Sequence, residues 1–72
     1  MVLEQFKFKP SNALGFKEEA TEKIDKETYV WVGISDEKRY DVKKYVNKDV
    51  KFSVIGVSLE SAIKVLKSIG KK

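Results

Sequence analysis

Apolar and polar residues alternate with the period of a β-strand along most of this chain, and change to helical spacing near its C-terminus. Residues 28–35, Thr-Tyr-Val-Trp-Val-Gly-Ile-Ser, form the clearest strand, dominated by β-branched and aromatic side chains. Asp36-Glu37-Lys38 reads as a polar turn and residues 39–46 as the return strand, with Asn47-Lys48-Asp49 as the next turn. In residues 50–57, Val50, Phe52 and Val54 share one parity, whereas Ile55 and Val57 fall on the other. That switch predicts a bulge near Gly56. Leu59, Ala62, Ile63, Leu66 and Ile69 then recur at helical intervals. Ser58 is placed to cap that helix, Glu60 and Lys67 suit its two ends, and Gly70 is placed to stop it.

The N-terminal part is read from weaker patterns. Val2, Phe6 and Phe8 share a parity, which predicts a half-buried strand over 2–9 ended by Pro10. Phe16, Ala20 and Ile24 recur every four residues, and Glu19 and Glu22 precede Lys23 and Lys26 in the favourable i,i+4 order. This favours a short helix over 12–26, with Ser11 or Asn12 as its cap, although Gly15 argues against helix in the first turn and the same residues also alternate as a strand would. The expected fold is α+β: one domain, an antiparallel sheet of three to four strands, and the 59–69 helix packed on one face.

The register of the central hairpin can be argued. Pairing 34 with 40 sets Ile34 and Val32 beside Tyr40 and Val42 on one face, and Trp31 across from Lys43 and Tyr29 across from Tyr45 on the other. A slip of one residue would place Val32 opposite Asp41 and waste the apolar face. The helix has one apolar stripe and should cover the Val30/Val32/Ile34/Tyr40/Val42 face. Tyr29, Trp31, Lys43 and Tyr45 then point away from it, with Lys7 and Lys9 extending the surface if the first strand joins the sheet.

Composition narrows the chemistry. At 72 residues the chain is a single domain with a small core. It has no cysteine and no histidine, which excludes disulfides, zinc fingers, thiol catalysis and histidine-dependent triads. No metal-ligand cluster or phosphate-loop motif is present. Glu18 and Glu22 fit a solvated charged face better than an acid–base pair, and Asp41 is expected to pair with a lysine. A non-enzymatic protein without cofactor is therefore expected. No apolar run is long enough for a membrane span and no signal peptide is visible, so a cytoplasmic protein is the default. Residues 1–37 carry 5 lysines and 8 carboxylates, a net of −3, whereas residues 38–72 carry 10 basic and 3 acidic side chains, a net of +7. The basic half suits a polyanion or an acidic protein.

Aromatic rings interleaved with lysines suit single-stranded nucleic acid, whose bases stack while its phosphates meet ammonium groups. On this reading Tyr29, Trp31 and Tyr45 stack, and Arg39, Lys43, Lys44, Lys48 and Lys51 supply positive charge. Two other readings of the face compete: segment 11–27 packs over it and makes Trp31 core, or it is a dimer interface. A protein-binding regulator or inhibitor, of the kind viruses and mobile elements encode, is the alternative function, docking the sheet face or edge on a host protein.

The stretch Arg39-Tyr40-Asp41-Val42-Lys43-Lys44-Tyr45, followed by Ile55-Gly56-Val57-Ser58-Leu59 and an amphipathic helix, resembles the positive cofactor four transcriptional coactivator family over residues 28–69. The resemblance implies a curved antiparallel sheet, a C-terminal helix, a homodimer, and single-stranded DNA binding in transcription or DNA maintenance. The matching positions are Arg39, Lys43, Lys44, Tyr45, Lys48 and Lys51. Three strands and a helix also resemble the sheet-reading DNA-binding domains of integrases and plant transcription factors, in which Trp31, Arg39, Lys43 and Tyr45 would enter a groove.

Overall fold

Backbone hydrogen bonding organises the chain as an antiparallel meander. In a computed structural model, which describes residues 1–69, five strands lie in the sheet in sequence order: β1 (Lys9–Pro10), β2 (Phe16–Lys23), β3 (Thr28–Ser35), β4 (Tyr40–Val46) and β5 (Asp49–Val57). One helix, α1 (Leu59–Ile69), follows. The α+β class is as expected, but the sheet has five strands rather than three or four.

The central hairpin has the register argued from its apolar pattern: Ile34 pairs with Tyr40, Val32 with Val42, Trp31 with Lys43 and Tyr29 with Tyr45. Val30, Val32 and Val42 are fully buried beneath α1, which contributes Ala62 and Leu66 to the same cluster. Tyr40, Val57, Val65 and Ile69 border it, whereas Leu59, expected in the helical stripe, is 44% exposed. Ser58 caps α1: its Oγ accepts the Ser61 N–H at 3.3 Å, and its carbonyl accepts the Ala62 N–H at 3.0 Å. The expected stop at Gly70 lies outside the described residues.

Segment 12–26 is not a helix. Gly15 has φ +88°, which no right-handed helix accommodates, and from Phe16 the chain pairs with β3. A four-residue apolar spacing fits both structures, because every fourth residue is also of one parity. Tertiary pairing decides: as a strand, seven of the eight residues of β2 pair with β3, and Ala20 is buried opposite Val32. Loop 24–27 closes the hairpin through Asp25, whose Oδ1 accepts the Glu27 and Thr28 N–H groups at 2.9 Å each.

Residues 2–9 also depart from the expected strand. Leu3–Gln5 form a 3₁₀ turn, in which the Gln5 Oε1 accepts the Val2 N–H at 2.9 Å. The turn carries Phe6 into the core beside Ala20, with Phe8 packed against that cluster. Pro10 does not end a strand but sits in β1, an edge strand, where its missing N–H is tolerated.

The predicted bulge is present in β5. Val54 pairs with Val42 and Val57 with Tyr40, so Ile55 and Gly56 share a single partner position at Asp41. Gly56 has φ +67°, and its N–H donates to the Asp41 Oδ1 at 2.9 Å. Asp41, 7% exposed, thus holds a backbone amide, and among the described residues it has no lysine partner of the kind expected. The bulge re-aims β5 so that one residue, Ser58, turns the chain into α1 beneath the sheet.

Candidate nucleic-acid interface

Alternation sends the odd-numbered residues of β3 to the face opposite α1. Tyr29 and Tyr45 stand across the β3–β4 pair with their rings stacked, centroids 4.7 Å apart and 10° from parallel. The Lys43 Nζ lies 5.6 Å from the centroid of its cross-strand neighbour Trp31. Thr21 faces Trp31 from β2. Together Thr21, Tyr29, Trp31, Lys43 and Tyr45 line an open hollow of about 330 Å³.

Gly33 sets the posture of the tryptophan. Its position has the same parity as Trp31, yet it is buried, because the indole lies down on its backbone. A Cβ there would come within 2.7 Å of Trp31 Cζ2 and 2.9 Å of Phe16 Cδ1. Phe16 meets the indole edge-on at 5.3 Å between centroids, and the indole N–H points at the Glu19 Oε1, 3.4 Å away. Trp31 is consequently half-buried by its own strand and by β2, but it remains part of the open surface. Segment 16–23 lies beside β3 in the sheet and not over this face, so the reading that made Trp31 a covered core residue is overturned.

A second hollow of similar size adjoins the first. It is lined by Lys23, Lys26, Glu27, Asn47 and Lys48, and Tyr29 forms the wall between the two. Its loops are tied together, since the Asn47 N–H donates to the Glu27 carbonyl at 3.0 Å. Asn47 and Lys48, at φ 52° and 70°, form the two-residue turn between β4 and β5.

The residues singled out from sequence thus divide. Tyr29, Trp31, Lys43 and Tyr45 come together, and Lys48 joins them through the second hollow. Lys44 does not: pairing with Val30 and Phe52 puts it on the helix-covered side, where its charge helps to hold Asp25 ionised. Arg39 follows the β3–β4 turn, about 20 Å from Tyr45 along β4 at about 3.3 Å per residue. Lys51 is the unpaired residue of a second bulge in β5, on the exposed sheet edge. Lys9 pairs with Glu19 at the margin of the aromatic face, whereas Lys7 precedes the sheet. The sequence reading missed Phe16, Thr21, Lys23 and Lys26 as site residues, all within the segment read as helix. The alternation of Glu19, Thr21 and Lys23 is the signal that places Thr21 and Lys23, whereas Phe16, across a bulge, and Lys26, in the following loop, carry none.

Among the described residues there is no group of acidic side chains positioned to hold a metal ion, and no helix long and apolar enough to cross a membrane. Comparison with protein-family models, curated proteins and solved structures finds no match to this chain.

Proposed function

We propose that this protein binds single-stranded nucleic acid, DNA in the first instance, on the sheet face opposite α1, in a transcription or DNA-maintenance role. The observation that carries the reading is the open hollow in which Tyr29, Trp31 and Tyr45 lie beside Lys43, on a face that β2 flanks without covering. Bases stack on aromatic rings at about 1–3 kcal/mol each regardless of sequence, and ammonium groups follow the backbone. The hollow is open and shallow, which suits planar groups laid against it better than an enclosed small substrate.

The test is a titration of the protein with a single-stranded oligonucleotide at low and at physiological salt, read by fluorescence of Trp31, the only tryptophan. Saturable quenching that weakens with salt is the expected result. Trp31→Ala, followed by anisotropy of a labelled oligonucleotide, should weaken binding by about 5- to 150-fold, the equivalent of one stacked base. An unchanged spectrum together with no binding by anisotropy refutes the reading. Unchanged affinity in a Trp31→Ala protein with a lowered melting temperature makes Trp31 structural and moves the site elsewhere.

A second reading has its own observation. The β5 edge exposes Val50, Phe52 and Ile55 at 52, 41 and 65%. Apolar side chains on an open strand edge suit a protein partner, a second copy of this chain included. Sedimentation equilibrium of the free protein tests the self-association.

A further inference from the structure

We propose that the hollow between the β2–β3 loop and the β4–β5 turn grips the phosphates of the bound strand, so that backbone charge is read at one end of the face and bases are read at the other. This rests on the single-stranded nucleic-acid reading and adds to it a polarity, a site length and a set of residues.

Three ammonium groups converge there from three separate segments: Lys23 at the end of β2, Lys26 in the following loop and Lys48 in the β4–β5 turn. Glu27 is the one carboxylate among the lining residues, so the hollow carries a local excess of two positive charges. Crowded like charges repel one another until an anion enters, and such a concavity raises the local concentration of polyanions. Asp25, in the same loop, and Asp49, beside the same turn, are not among the lining residues, and the opposite end of the face mixes charges of both signs. Glu19 borders Trp31, and the β3–β4 turn balances Asp36 and Glu37 against Lys38 and Arg39.

The hollow is also shaped in advance. Asp25 closes one loop through two backbone amides, and the Asn47-to-Glu27 bond fastens that loop to the opposite turn. Binding therefore orders little more than the lysine side chains. Lysine presents a compact charge with rotatable donors, which accommodates the varied geometry of a phosphodiester chain and lacks the fork that suits a carboxylate. Tyr29 is the wall shared with the aromatic hollow, so a chain alternating phosphates with flat bases can occupy both at once. The longest dimension of the protein is 31 Å, which restricts the site to the short end of the roughly 4–16 nucleotides that a single small fold covers.

The decisive measurement is the salt dependence of binding to an eight-residue oligothymidylate. Four lysines (23, 26, 43 and 48) at about 0.7 each give a slope of log K against log salt of about −3. The exposed triple variant Lys23→Gln/Lys26→Gln/Lys48→Gln should retain about −0.7, equivalent to about a 100-fold loss of affinity at 0.1 M salt. Lys64→Gln, on the exposed side of α1, should leave both slope and affinity unchanged. A folded triple variant that binds with the wild-type slope overturns this inference and leaves the nucleic-acid reading standing. Wild-type protein that binds no oligonucleotide overturns both. An octaglutamate peptide that displaces the oligonucleotide at equal concentration overturns the choice of phosphate over carboxylate.

Discussion

Replacing Gly33 with alanine tests the posture of Trp31 with a single methyl group. Gly33 lies in extended backbone that alanine adopts freely, so the effect is steric. The methyl would sit 2.7 Å from the indole Cζ2 and 2.9 Å from Phe16 Cδ1, closer than real side chains pack. If the indole stays, overpacking costs about 1–3 kcal/mol. If it lifts away, the edge-on contact with Phe16, about 0.5–1.5 kcal/mol, is lost along with its burial. Against either stands a gain of about 0.5–1 kcal/mol for removing glycine from a strand. The net is a destabilisation of about 1–2 kcal/mol, or a fall in Tm of about 5–15 °C for a domain of this size. Urea and thermal unfolding followed by far-ultraviolet circular dichroism reads it, and a red-shifted Trp31 emission reports the lifted indole. In a Trp31→Ala background the sign should reverse, with alanine at 33 stabilising by about 0.5–1 kcal/mol as the half-buried Phe16 yields. Equal unfolding midpoints and emission maxima for wild type and Gly33→Ala, or the same destabilisation in both backgrounds, refutes the argument.

Two further outcomes test other joints of the fold. Asp41→Ala strands the Gly56 N–H inside the β5 bulge and should destabilise by about 1–3 kcal/mol in urea unfolding, while Asp41→Asn, which keeps an acceptor, should lose less. The Glu27 N–H, aided by the Thr28 side chain and N–H and by the Lys44 charge, holds the Asp25 carboxyl below the usual carboxylate range. Because that group is harder to protonate folded than unfolded, its contribution is present above about pH 4 and fades as pH falls through the lowered value. The stability advantage of wild type over Asp25→Asn at pH 7 should therefore shrink on acidification, measured by thermal unfolding between pH 7 and pH 2.

What the sequence disclosed and what it hid have separate physical causes. The β3–β4 register, the helix and the division of the sheet into two faces were legible because valines 30, 32 and 42 and the aromatics 29, 31 and 45 alternate without exception. The parity break at Gly56 disclosed a bulge for the same reason. Segment 16–23 was hidden because an apolar residue at every fourth position satisfies both periods. A bulge between Phe16 and Glu18 also shifts Phe16 onto the aromatic face, away from Ala20. That misreading concealed part of the candidate site, since Thr21 and Lys23 enter it through β2 and Lys26 through the loop that follows. Residues 2–8 were misread because their turn contains no glycine or proline. It is held by the Gln5 side chain, a contact that no periodicity announces.

Alternation along β3 and β4 also separates two kinds of selective pressure. Val30, Val32 and Val42 answer to the interior and cannot change without altering stability. Positions 21, 29, 43, 45 and 53, on β2 to β5, face the side opposite α1 and lie outside the buried core cluster. Mutation at these five sites can therefore redirect what the face recognises while the fold stays fixed, whereas Trp31, Gly33 and Asp41 on the same parity are tied into the structure. A library randomised at those five positions should keep most of its members folded, which makes the small domain a scaffold on which recognition can evolve independently of its architecture.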